Sequence, residues 1–159
     1  TRYRLSTQIE DQSRAFLQGL TELINPRWLR LFNTEELRVL VTGADTPIDV
    51  EDLRRNTVYG GYHEKDMAVQ YFWEALSSLD QASLKAFLRF VTSSPNPPLL
   101  GFSELNPKFA IRHAGDDITR LPTASTCVNL LKLPAYNSTA QCLEKVKYAI
   151  YSGAGFDLS

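Results

Sequence analysis

Leu121-Pro122-Thr123-Ala124-Ser125-Thr126-Cys127 runs straight into Val128-Asn129-Leu130-Leu131-Lys132-Leu133-Pro134. The first half is a proline-anchored, hydroxyl-rich run and reads as a loop. The second is a short apolar run closed by proline and reads as a buried strand over residues 128–133. One thiol stands where the two meet, at the mouth of the strand. A nucleophile placed there is both exposed and held still.

Moving outward, residues 109–113 alternate as a half-buried strand does, and Thr57-Val58-Tyr59 before Gly60-Gly61 reads as a short strand and turn. Ala68, Phe72, Ala75, Leu76 and Leu79 recur at three-and-four spacing, which predicts a helix. Leu84, Phe87, Leu88 and Val91 repeat the pattern after Asp80. Pro95, Pro97 and Pro98 break regular structure between them and the next strand. Asn137 or Ser138 caps a last helix with Leu143, Val146 and Ile150 on one face.

Residues 1–42 read as helices, opened by the capping boxes Thr7 with Glu10 and Asn33 with Glu36. Residues 43–52 are small, turn-forming and acidic, and read as a connector. From composition alone they serve equally as an ordinary helix–helix loop. Helices before and between a few strands indicate an α+β fold.

Composition narrows the function classes. A net charge of −1 over 159 residues gives no bulk attraction to nucleic acid or to acidic membranes. No run approaches the roughly 18 apolar residues of a membrane span. The first residues lack the apolar core of a signal peptide, and without an initiator methionine the chain reads as a piece of something longer. Cys127 and Cys142 are too few for a disulfide framework and read as reduced thiols. Two cysteines and two histidines without ligand spacing argue against a metal site, and no cofactor is expected.

A lone cysteine is more often a small buried hydrophobe than a nucleophile. Cys142, within an amphipathic helix, fits that reading. Cys127 departs from it by position. A thiol hydrolase would pair Cys127 with a histidine, and only His63 and His113 are available. Thioester exchange has no such requirement. One thiolate displaces another, so the step is nearly balanced and needs little acid–base help.

At this point the residues match a family. Tyr59-Gly60-Gly61-Tyr62, Phe72-Trp73, Leu99-Leu100-Gly101-Phe102, Arg120-Leu121-Pro122-Thr123-Ala124-Ser125-Thr126-Cys127, Leu131-Lys132-Leu133-Pro134 and Gly155-Phe156 occur in the order and spacing of a HECT-type ubiquitin-protein ligase. The chain resembles that family's catalytic C-terminal lobe, in the branch associated with proteasomes. The resemblance implies a small mixed sheet flanked by helices over residues 48–159, an interlobe hinge at 43–47, and the helical tail of the N-terminal lobe over 1–42.

It further implies that Cys127 takes ubiquitin's C-terminal glycyl group from a ubiquitin-conjugating enzyme and passes it to a lysine of a protein substrate. The conjugating enzyme would dock mainly on the rest of the N-terminal lobe, outside this chain. The proteasome is a further partner the resemblance implies, in the cytoplasm or nucleus; neither nucleic acid nor membrane is a partner.

The second step needs a neutral amine, and a lysine of pKa about 10.4 is neutral in roughly one copy in 2,500 at pH 7, a cost of about 4.6 kcal/mol. An acid near the thiol lowers that barrier. Asp117 matches an acidic position common in the family, with Asp116 and Asp157 as alternatives. Phe156 matches a phenylalanine implicated in lysine transfer, and Thr126 fits a threonine able to hydrogen-bond near the thioester. Asn129 also fits the pattern, and equally reads as a residue satisfying local backbone groups. Ser125 stands where many members carry histidine, so imidazole tuning of the thiol is absent from this pattern. The other reading is a non-catalytic ubiquitin-binding or interaction module with an inert Cys127.

Overall fold

The computed structural model describes residues 46–152. The helical readings of residues 1–42, the hinge over 43–45, and the roles of Phe156 and Asp157 lie outside them.

Asp49 starts the described fold. Its carboxylate accepts from the backbone N–H groups of Glu51 and Asp52 at 2.9 and 3.1 Å, capping a first helix, α1, Val50–Arg55. The acidic residues read as connector through Asp52 are therefore a helix start from Val50 onward. Carboxylates in a first turn favour the positive end of the helix dipole, which makes the same composition a start signal. Strand β1, Val58–Gly60, follows. Helices α2, Met67–Ser77, and α3, Gln81–Thr92, fall where the three-and-four spacing puts them, and the Asp80 carboxylate caps α3 through the Ser83 N–H.

β2 is Ala110–His113, β3 is Thr123–Ser125, β4 is Leu130–Leu133, and α4 is Thr139–Ser152. Ser138 is the cap of α4, its hydroxyl accepting from the Gln141 N–H at 3.2 Å. Two strand readings change. Thr123–Ser125, expected as loop, is a strand, because its backbone pairs antiparallel with β4. β4 begins only at Leu130; Val128, expected inside it, is 46% exposed.

The sheet order is β1-β2-β4-β3, with β1, β2 and β4 parallel and β3 antiparallel to β4. Among the described residues this is an α+β arrangement with a small mixed sheet. Register puts Tyr59, Ile111, Leu131 and Ala124 side by side on one face. That face meets the helices: Ile111 and Leu131 are fully buried, and the Phe109 ring packs edge-on to Phe87 of α3 at 6.1 Å. Each such side chain contributes about 1.5–3 kcal/mol of burial free energy. The opposite face carries Val58, Ala110 and Leu130 in one row and Gly60, Arg112 and Lys132 in the next. Exposure of Val58 and Arg112 marks it as the outward face.

Candidate active site

Ser125 and Leu130 are the last paired residues of the β3–β4 hairpin, so residues 126–129 form its connection. Thr126–Val128 make a single 3-10 turn, and Asn129 closes it in the left-handed region at φ 51°. Cys127 is thus at the apex of a tight hairpin turn and is exposed. It does not open the strand itself, as the apolar run suggested. A 3-10 turn cannot share the ladder's hydrogen bonds, so pairing stops at Ser125.

The turn is braced from two sides. Below it lies α3, against which residues 126–128 pack. Beside it, the buried Asn129 amide Nδ2 donates to the Pro107 carbonyl at 2.7 Å, and the Asn129 carbonyl accepts from the Ala110 N–H at 3.0 Å. Asn129 N–H closes the turn onto the Thr126 carbonyl at 3.4 Å. Thr126 and Ser125 are half-buried.

Cys142 is the opposite case. It is fully buried on the inner face of α4, and burial pushes its thiol up to about 12. That matches its reading as a core residue.

The other sequence candidates lie elsewhere. β2 and β4 run parallel, with Ala110 opposite Leu130 and His113 opposite Leu133. Cys127 precedes Leu130, whereas His113 ends β2, and three residues of strand advance about 10 Å. His63 follows β1 at that same far end; its N–H donates to the Asp66 carboxylate. Neither imidazole reaches the thiol, which removes the hydrolase pairing.

Asp116 and Asp117 follow β2 beyond its C-terminal end and are also remote from Cys127. Asp116 Oδ1 sits 3.2 Å from His113 Nε2. Asp117 accepts from the Thr119 hydroxyl and N–H at 2.6 and 3.0 Å, and these bonds, the hydroxyl's first, hold its carboxyl below the usual range. Ten residues separate Asp117 from Cys127, and β3 lies between them. The residue undervalued by sequence reasoning is Asn129, whose signal was a polar amide inside an apolar run.

The family described as HECT-domain (ubiquitin-transferase) matches residues 1–159. The chain is 50% identical over 159 residues to the E3 ubiquitin-protein ligase HUL5 of Saccharomyces cerevisiae, covering 100% of this chain and 18% of that protein. It is 45% identical over 163 residues to the E3 ubiquitin-protein ligase UPL6 of Arabidopsis thaliana, covering 99% and 16%. To the ubiquitin-protein ligase E3B of Homo sapiens it is 40% identical over 183 residues, covering 99% and 17%. The chain spans less than a fifth of the length of these relatives. Identity at this level across the whole chain, around an exposed hairpin thiol, leads to one conclusion: this chain belongs to the HECT-domain family.

Proposed function

We propose that the chain is the thiol-bearing part of an E3 ubiquitin-protein ligase, with Cys127 as the ubiquitin acceptor. The single observation that carries this reading is the exposure of Cys127 at the hairpin apex, against the burial of Cys142. In the first step the Cys127 thiolate attacks the carbonyl carbon of ubiquitin's C-terminal glycine, held as a thioester on the conjugating enzyme. The new C–S bond forms on Cys127, the old one breaks, and the conjugating enzyme's thiolate leaves. Thiolate replaces thiolate, so the missing histidine is no obstacle. β3, which flanks the thiol, is an edge strand among the described residues and offers backbone groups to an extended peptide tail.

In the second step a neutral substrate lysine attacks the same carbonyl, an isopeptide bond forms, and Cys127 leaves as thiolate. The lysine's lost proton goes to a base. The resemblance offers Asp117, with Asp116 as an alternative, although both follow β2 at the end of the sheet away from Cys127. Phe156 and Asp157 remain proposals on the resemblance alone, as does Thr126 as a hydrogen-bonding neighbour of the thioester. Conjugating enzyme, protein substrates and proteasome are proposed partners of the longer protein, acting in the cytoplasm or nucleus.

Trapping tests the reading. The intact ligase is incubated with ubiquitin, activating enzyme and conjugating enzyme, and resolved without reductant. Cys127→Ala should abolish the reductant-sensitive ubiquitin adduct, and Cys142→Ala should retain it. An adduct that survives Cys127→Ala overturns the proposal in favour of an inert-thiol interaction module.

A further inference from the structure

We infer that Asn129 is a positioning residue for Cys127: its side-chain amide, through Pro107, fixes the thiol turn to the entry of β2. The inference rests on the reading of Cys127 as ubiquitin acceptor.

Five observations converge on one residue. Asn129 is a polar side chain only 7% exposed, in a left-handed conformation that few residues other than glycine, asparagine and aspartate adopt. Its N–H closes the turn on Thr126, its carbonyl pairs with Ala110 of β2, and its Nδ2 donates to Pro107. The backbone bonds belong to the hairpin and the sheet, and any left-handed residue would make them. The side-chain bond is different. It ties two segments 22 residues apart, the thiol turn and the approach to β2, and no ladder requires it.

Without that tie the apex keeps only its packing on α3 and the backbone bonds, and is freer to rock about its last paired residues, Ser125 and Leu130. Cys127, two residues from Asn129, would move with it. For a small alkylating agent that motion is harmless, because the reagent approaches from any side. For two large proteins exchanging an acyl group it is not, because the thioester carbonyl arrives on a fixed trajectory and small misplacements at the reacting atom cost large factors in rate.

Two variants separate the amide from the backbone. Asn129→Gly and Asn129→Asp both accept the left-handed conformation, and neither can donate to the Pro107 carbonyl. In the full-length ligase, both should lower kcat for ubiquitin transfer from charged conjugating enzyme about ten- to a hundred-fold. KM for the charged conjugating enzyme, and the rate of Cys127 alkylation by iodoacetamide, should stay within about two-fold. Unimpaired transfer in both variants overturns the inference, since the backbone conformation alone would then suffice. Transfer that falls only in step with alkylation, or with the thermal midpoint, overturns it too, as loss of fold. Both results leave the acceptor reading intact. That reading fails separately, if Cys127→Ala in the otherwise wild-type ligase still forms the adduct.

Discussion

Cys127 and His113 stand at opposite ends of one parallel strand pair, the thiol before Leu130 of β4 and the imidazole opposite Leu133. The proposed chemistry at the thiol therefore needs no imidazole partner from this chain. His113→Ala and His63→Ala should leave the rate of thioester formation on Cys127 within about two-fold of wild type, measured by single-turnover charging of the full ligase. A loss beyond about a hundred-fold in either variant, the scale of general acid–base catalysis, would place an imidazole at the thiol and contradict the register.

The two thiols should separate cleanly by reactivity. Iodoacetamide at pH 8 should label Cys127 in the native chain and spare Cys142, whose burial raises its thiol to about 12. In denaturant both should label. Mass spectrometry of the digested chain reads the outcome, and native labelling of Cys142 would mean that α4 opens readily from the core.

Gly101 has no room for a side chain. Its φ is 96°, and an added Cβ would stand 2.9 Å from Asp52 Oδ2, the atom that accepts the Phe102 N–H at 2.8 Å. Gly101→Ala should therefore destabilise the chain by more than about 1 kcal/mol, through backbone strain and disturbance of the tie between α1 and the loop before β2. Urea unfolding of the 159-residue chain measures it. Ser103→Ala, an exposed neighbour, serves as the control and should change stability by less than about 0.5 kcal/mol.

Alkaline pH should weaken the fold through Tyr62. Its hydroxyl donates to the Leu133 carbonyl at 3.0 Å, and burial first, then the nearby Asp116 charge, raises it to about 12. The folded state holds that proton more tightly than the unfolded state, so its contribution is full below about pH 10 and is lost as pH rises toward 12. Tyr62→Phe should flatten the stability profile between those limits. Thermal midpoints across pH 9 to about 12 check this, and an unchanged slope would show that Tyr62 does not carry it.

Much of the architecture was legible because its signals are local. The spacing of Phe72, Ala75 and Leu76 specifies α2, and Asp80 marks the start of α3 as a cap must. Alternation specifies β2, and an isolated Cys127 among hydroxyl residues stood out as a candidate nucleophile. The connector reading failed at Val50 because Asp49, Glu51 and Asp52 carry two local meanings, turn and helix start. Nothing short of the hydrogen bonds distinguishes them. β3 was hidden for a different reason. Thr123-Ala124-Ser125 has little strand character of its own and becomes a strand only by pairing with β4.

By itself, then, the sequence determined the helices α2, α3 and α4, which sulfur is the candidate nucleophile and which family the chain resembles. Only the tertiary structure decided what shares the thiol's end of the sheet. Asn129 and Pro107 meet beside Cys127, while His63, His113, Asp116 and Asp117 gather at the other end. The reason is physical: helix phase and residue chemistry are set within a few neighbouring residues, whereas strand register joins segments about twenty residues apart. One antiparallel hairpin laid beside a parallel pair is enough to carry a nearby residue the full length of the sheet.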